Sequence, residues 1–170
     1  MSGAPVAAAT RGVLFVHSTP AALCPHVEWA VSSVLESRPN LQWTPQPAQA
    51  GTWRTELPWA GPTGTGARIA SSLRGWERLR YEVTEEPSAG ADGARWSHTP
   101  ALGIHHAVIG VHGDVLIGED RLRAAVSGAA DATSLTAAID QALGQPWDDE
   151  LEPFRYAGEG AAVRWLHRVG

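Results

Sequence analysis

The chain has 170 residues, enough for one domain with a core of its own. All 13 basic residues are arginine, the formal net charge is −5 and no basic run occurs. Nonspecific nucleic-acid binding, which needs several phosphate-neutralising charges on one face, is therefore disfavoured. The single cysteine, Cys24, excludes an intramolecular disulfide and favours a reducing compartment. No apolar stretch approaches the ~20 residues that span a bilayer, and the start of the chain lacks the basic region of a signal peptide. The expectation is a soluble cytoplasmic protein with no membrane or nucleic-acid partner, whose residues 1–10 form a disordered segment.

The first element expected is a strand at 13–16, continuously apolar and bounded by Gly12 and by Ser18, Thr19 and Pro20. A helix follows from about Cys24, with Pro25 in its first turn and Val27, Ala30, Val31, Val34 and Leu35 as its inward stripe. It closes at Arg38, Pro39 and Asn40. Two strands come next: 41–44, and 52–57, in which Trp53 and Leu57 alternate with Thr52, Arg54 and Glu56. A loop at 58–65 leads into a helix striped by Ile69, Ala70, Leu73 and Trp76. A strand with Leu79, Tyr81 and Val83 on one side and Arg80, Glu82 and Thr84 on the other ends this half.

The order β-α-β-β-α-β is that of ferredoxin-like domains. The helices are expected on the face carrying Trp43, Trp53, Leu57, Tyr81 and Val83. The opposite face, with Arg54, Glu56, Arg80 and Glu82, is expected to hold Leu14 and Val16 as well, and so to be covered by the rest of the chain or by a second protein.

The second half is read as a loop at 87–93, strands at 94–98 and 104–111, and a tight His112-Gly113 link to a strand at 114–117. Helices follow at 119–127, with Leu122, Ala125 and Val126 inward, and at 134–143, with Leu135, Ala138, Ile139 and Ala142 inward, ended by Gly144 and Pro146. The whole is an α+β fold, a ferredoxin-like βαββαβ half with an added β-hairpin and C-terminal helices. It spans 11–144 as a single domain, and a tail at 145–170, with an amphipathic stretch at 161–169, packs upon it.

Candidate sites are few. The loop Gly61-Pro62-Thr63-Gly64-Thr65-Gly66-Ala67-Arg68 opens a helix, where free amides with Arg68 could cradle a phosphate or carboxylate, but the Walker spacing and its lysine are absent. A turn with Thr65 capping the helix is the plainer reading. Cys24 near a helix start could have a lowered thiol pKa, although His26 points the wrong way to serve it and a small buried hydrophobe is commoner. His17, His98, His105, His106 and His112 lack metal-ligand spacing, so no metal site and no cofactor is expected. Hydroxyls beside imidazoles at Ser18 and Ser97 come without a nucleophile elbow, and no catalytic residue is assigned.

Eight tryptophans against two phenylalanines and two tyrosines are spread along the chain. Trp29 falls opposite the inward stripe of its helix and is the expected anchor for a partner; Trp147 and Trp165 are further candidates, or serve to dock the tail.

The strings RGVLFVHS at 11–18, CPHVEWA at 24–30, GTWR at 51–54, LRGW at 73–76, LRYEVTEEP at 79–87 and RWSHTP at 95–100 resemble an actinobacterial family carried as domain of unknown function 3145. The resemblance covers about 11–125. It implies an intracellular protein whose relatives tend to be encoded beside fatty-acid synthesis genes, and it hands no residue a role.

The leading expectation is a non-catalytic accessory or regulatory protein that binds another protein, an enzyme of fatty-acid biosynthesis or acyl-CoA carboxylation, with Trp29, Arg54 and Arg80 as binding residues. The alternative is an enzyme or small-ligand binder using a pocket lined by His17, His98 and His106 together with Gly64, Gly66 and Arg68. Homodimerisation through the sheet is a third.

Overall fold

The computed structural model describes residues 8–156. The expected amphipathic stretch at 161–169, with Trp165, lies outside them. Seven strands form one sheet in the order β2-β3-β1-β4-β5-β6-β7, antiparallel at every pairing. In chain order these are β1 (Ala9–Pro20), β2 (Thr44–Pro45), β3 (Thr52–Pro62), β4 (Arg80–Glu85), β5 (Gly93–Thr99), β6 (Gly103–Ile109) and β7 (Val115–Leu116). The helices are α1 (Cys24–Leu35), α2 (Thr65–Leu73), α3 (Glu119–Gly128), α4 (Ala132–Leu143) and α5 (Gln145–Tyr156). Mixed helix and antiparallel sheet make this an α+β protein.

β1 starts earlier than its apolar run suggests. Ala9 and Thr10, expected in a disordered segment, pair with Pro62 and Gly61, and the Thr10 hydroxyl donates to the Glu86 carbonyl at 2.8 Å. β1 lies between β3 and β4, so Leu14 faces both Leu57 and Val83 while Val16 faces Thr55 and Tyr81. This register corrects the expected placement of Leu14 and Val16. They lie on the face covered by α1 and α2, in one cluster with Val27, Ala30, Val31, Ile69, Ala70, Leu73, Tyr81 and Val83. A continuous apolar run carries no parity signal of its own; only its neighbours fix which residues face which way.

α1 takes its start from Pro25 in the first turn, where a missing N–H costs nothing, and stops at Glu36, whose φ of 52° is left-handed. The expected strand at 41–44 shrinks to Thr44–Pro45. Leu41 and Trp43 instead pack against the core, and the Trp43 indole N–H donates to Glu28 Oε1 at 2.7 Å. β3, in contrast, runs on through the expected loop as far as Pro62.

The second face of the sheet is closed by α5. Its Trp147, Leu151 and Arg155 are buried, and the Trp147 indole donates to the Gly103 carbonyl at 2.9 Å while its ring meets His105 at 4.6 Å. α4 is capped by Asp131, which exchanges hydrogen bonds with Ser134, and ends at Gly144, whose positive φ of 89° lets its amide reach the carbonyls of Asp140 and Gln141. α3 departs from expectation: it packs chiefly on α4, and Leu122 and Val126, expected inward, are 41% and 64% exposed. The short β7 leaves α3 at the margin of the sheet, beyond the reach of its core.

Candidate functional site

Beneath α5, alternation along β1 and β4 sends His17 and Glu82 to the second face, where neither meets solvent. His17 Nε2 donates to Glu82 Oε2 at 2.6 Å, and the Arg155 guanidinium grips the same carboxylate through Nε, at 2.9 Å, and through Nη2. Arg155 Nη2 also donates to Asp148 Oδ1 at 2.8 Å, and Asp148 Oδ2 meets Arg95 Nη2 at 3.4 Å. Burial alone would raise the Glu82 carboxyl, but the hydrogen bonds and charges of His17 and Arg155 hold it well below the usual carboxylate range. Gln46, also buried, donates from Nε2 to the His17 carbonyl at 2.6 Å and to the Phe154 carbonyl at 3.3 Å. The network ties sheet to helix. Its imidazole and carboxylate are spent on one another.

The histidines expected to converge do not. His98 lies on the α1–α2 face, stacked on Tyr81 at 5.0 Å, with Nδ1 donating to the Leu79 carbonyl at 2.8 Å. His106 stacks on Trp96 of the same face, also at 5.0 Å. The sheet therefore separates both from His17, and a pocket lined by His17, His98 and His106 is not what the chain builds. His105 faces α5 and donates from Nε2 to the Ala142 carbonyl at 3.2 Å. Burial pushes the imidazoles of His98, His105 and His106 down, towards the neutral form. Among the described residues no group of three or more His, Cys, Asp and Glu side chains is placed to hold a metal ion.

The glycine loop is occupied by the protein itself. Glu85 Oε1 accepts from the Gly64 amide and Oε2 from the Gly66 amide, both at 2.7 Å, so an internal carboxylate fills the position an external anion would take at the start of α2. Thr65, the expected cap, donates to the Pro62 carbonyl at 2.7 Å instead. Gly66 is required for this close approach, since a Cβ there would stand 2.8 Å from Trp96 and 2.9 Å from Glu85 Oε2. Arg68 lies on the exposed side of α2. Cys24 does not carry a lowered thiol pKa: burial, then the charge of Glu28, pushes it up.

Three expected binding residues retain free surface. Trp29 is 71% exposed on the outer side of α1, beside exposed Pro25 and His26. Arg54 and Arg80 are half-buried on the second face, flanking β1. The Arg80 guanidinium lies 4.4 Å over the Phe154 ring, and its Nη1 donates to Ser18 Oγ at 3.3 Å and Gln49 Oε1 at 3.2 Å. Sequence reasoning missed Glu85, Gln46 and the Glu82–Arg155 pair. For Glu85 a signal existed: it continues the Tyr81, Val83 alternation and so places a carboxylate on an apolar face, which demands donors nearby. Arg155 in the tail gave none.

The fold defines an α+β protein in which His17, Glu82, Glu85 and His98 are bonded to partners within the chain. A family model described as "Protein of unknown function (DUF3145)" matches residues 13–168, and the chain belongs to that family. No curated protein and no solved structure matches it.

Proposed function

We propose that this chain is a non-catalytic accessory or regulatory protein that docks on another protein through the outer side of α1, with Trp29 as anchor. The observation that carries the reading is a large indole left 71% exposed on a helix whose other face packs into the core through Val27, Ala30 and Val31. Support comes from the opposite direction as well, because the groups that could do chemistry are engaged internally: His17 with Glu82, His98 with Leu79, and the loop amides with Glu85. The β2-β3-β1-β4 half is read as ferredoxin-like, supported by its strand order, its antiparallel directions and the two helices on one face.

Among the described residues no helix is long and apolar enough to cross a membrane. A cytoplasmic location, and a partner among enzymes of fatty-acid biosynthesis or acyl-CoA carboxylation, are the narrower form of the proposal. They draw on the single thiol and on the family resemblance.

Trp29→Ala is expected to leave unfolding stability unchanged within about 0.5 kcal/mol, since the side chain is outside the core. The same variant is expected to weaken partner binding at least about tenfold, the usual loss at an anchor residue. Quantitative capture from the native cytoplasm with both forms as bait checks this, and recovery of the same proteins in equal yield by both removes Trp29 as the anchor.

Self-association is the second reading, favoured by the exposed Leu116, Leu122 and Val126 of β7 and α3. Sedimentation velocity is then expected to show a dimer that Val126→Asp dissociates. A monomer at micromolar concentration ends that reading.

A further inference from the structure

The second sheet face treats its arginines unequally. Arg95 and Arg155 are held by the carboxylates of Asp148 and Glu82. Arg54 and Arg80 have no carboxylate within ion-pair distance among the described residues, and Glu150 on α5 acts on Arg80 only from beyond that distance. Each also keeps a buried N–H with no acceptor, Nη1 in Arg54 and Nε in Arg80, as Arg95 does at Nε; what sets Arg54 and Arg80 apart is the missing carboxylate. Buried donors in native proteins are nearly always satisfied, by protein, water or a bound group.

The register brings the two together. β1 is irregular between Val16 and Thr19, at His17 and Ser18. Ser18 pairs with Arg80 on β4, while Arg54 on β3 falls between Trp53, opposite Thr19, and Thr55, opposite Val16. By alternation both side chains rise from the same face, with one strand between them, so their backbones are about 10 Å apart at the usual strand spacing. That gap suits two arginines converging on one small group. Arg80 is already oriented, stacked on Phe154 and held by Ser18 and Gln49. A guanidinium fixed in this way presents its remaining N–H groups as a fork that matches the oxygens of a phosphate or carboxylate.

We propose that Arg54 and Arg80 form a clamp across the β1 irregularity for an oxyanion, the phosphate or carboxylate group of a small ligand. The site is separate from Trp29 and stands whether or not the α1 face binds a protein. It also differs from the glycine loop, whose amides already hold Glu85.

Inorganic phosphate and acetate, titrated separately at constant ionic strength, distinguish the two ligand chemistries. The readouts are the melting temperature and the arginine Nε–H resonances of the full chain. A saturable rise in melting temperature with at least one of the two anions is expected, together with a saturating shift of the Arg54 or Arg80 Nε–H signal. Arg54→Gln removes no side-chain hydrogen bond or ion pair, so it is expected to fold normally and to abolish the response; Arg80→Gln is expected to abolish it as well. Arg68→Gln, on the exposed side of α2, is expected to respond as the unaltered chain does. Absence of a saturable response to either anion overturns the clamp, and so does a response that survives in folded Arg54→Gln.

Discussion

Glu82→Ala is expected to lower the unfolding free energy by about 3–5 kcal/mol, the usual cost of removing one partner of a buried ion pair. The substitution leaves Arg155 Nε and His17 Nε2 without an acceptor on the covered second face, and Arg155 keeps only its Nη2 bond to Asp148. The loss thus comes less from the missing attraction than from the unpaired groups left behind. Urea unfolding measures it. The carboxyl is held below its ordinary range in the folded chain, so its contribution is complete above the unfolded-state pKa of about 4.3 and is lost as pH falls from there towards the depressed folded value. The unaltered protein should consequently lose stability steeply in acid below about pH 4, and Glu82→Gln should show a shallower slope over the same window. Equal slopes would remove Glu82 from the acid response.

Gly12→Ala is the second large effect, at about 3 kcal/mol, the upper end of ordinary overpacking. A Cβ at Gly12 would stand 1.8 Å from the Thr84 carbonyl oxygen and 2.6 Å from the Trp59 ring. The first obstacle is backbone in a paired strand, so relief requires β1 and β4 to separate in the middle of the sheet. Gly75→Ala is the natural control, because nothing lies within 4 Å of its Cβ position, and a change within about 0.5 kcal/mol is expected there. Similar losses at both positions in urea would mean that the close approach at Gly12 is not what limits the strand.

The contrast between these two glycines marks what the sequence could convey. α1, α2, the strand pairs and the capped end of α4 follow from local patterns: Pro25 at a helix start, apolar stripes at three- and four-residue spacing, Gly144 after the last turn. Face assignment along β1 did not follow, since Leu14, Phe15 and Val16 are all apolar and the partner strands decide which side each takes. α3 shows the opposite failure. Its stripe of Leu122, Ala125 and Val126 reads as a buried face, yet no sheet core lies within its reach.

The candidate site was legible in part. The outward position of Trp29 came from helical geometry alone, and Arg54 and Arg80 came from strand alternation. The closing of the second face by α5 rests on Arg155, which lies 73 residues beyond Glu82 in a segment of mixed acids and aromatics. Pairings at that separation leave no periodic trace. The glycine loop illustrates a related limit, because its amides read equally well as an open anion site or as the seat of an internal carboxylate. The position of Glu85 on β4 decides between them.

α5 holds the second face of the sheet through a buried charge pair between Arg155 and Glu82. A double-mutant cycle of Glu82→Ala and Arg155→Ala in urea tests it most directly. Removing both partners together should cost clearly less than the sum of the single losses, with a coupling of about 1–3 kcal/mol as expected for groups in direct contact. Strictly additive losses would contradict it, for they would mean that helix and sheet do not meet at these residues.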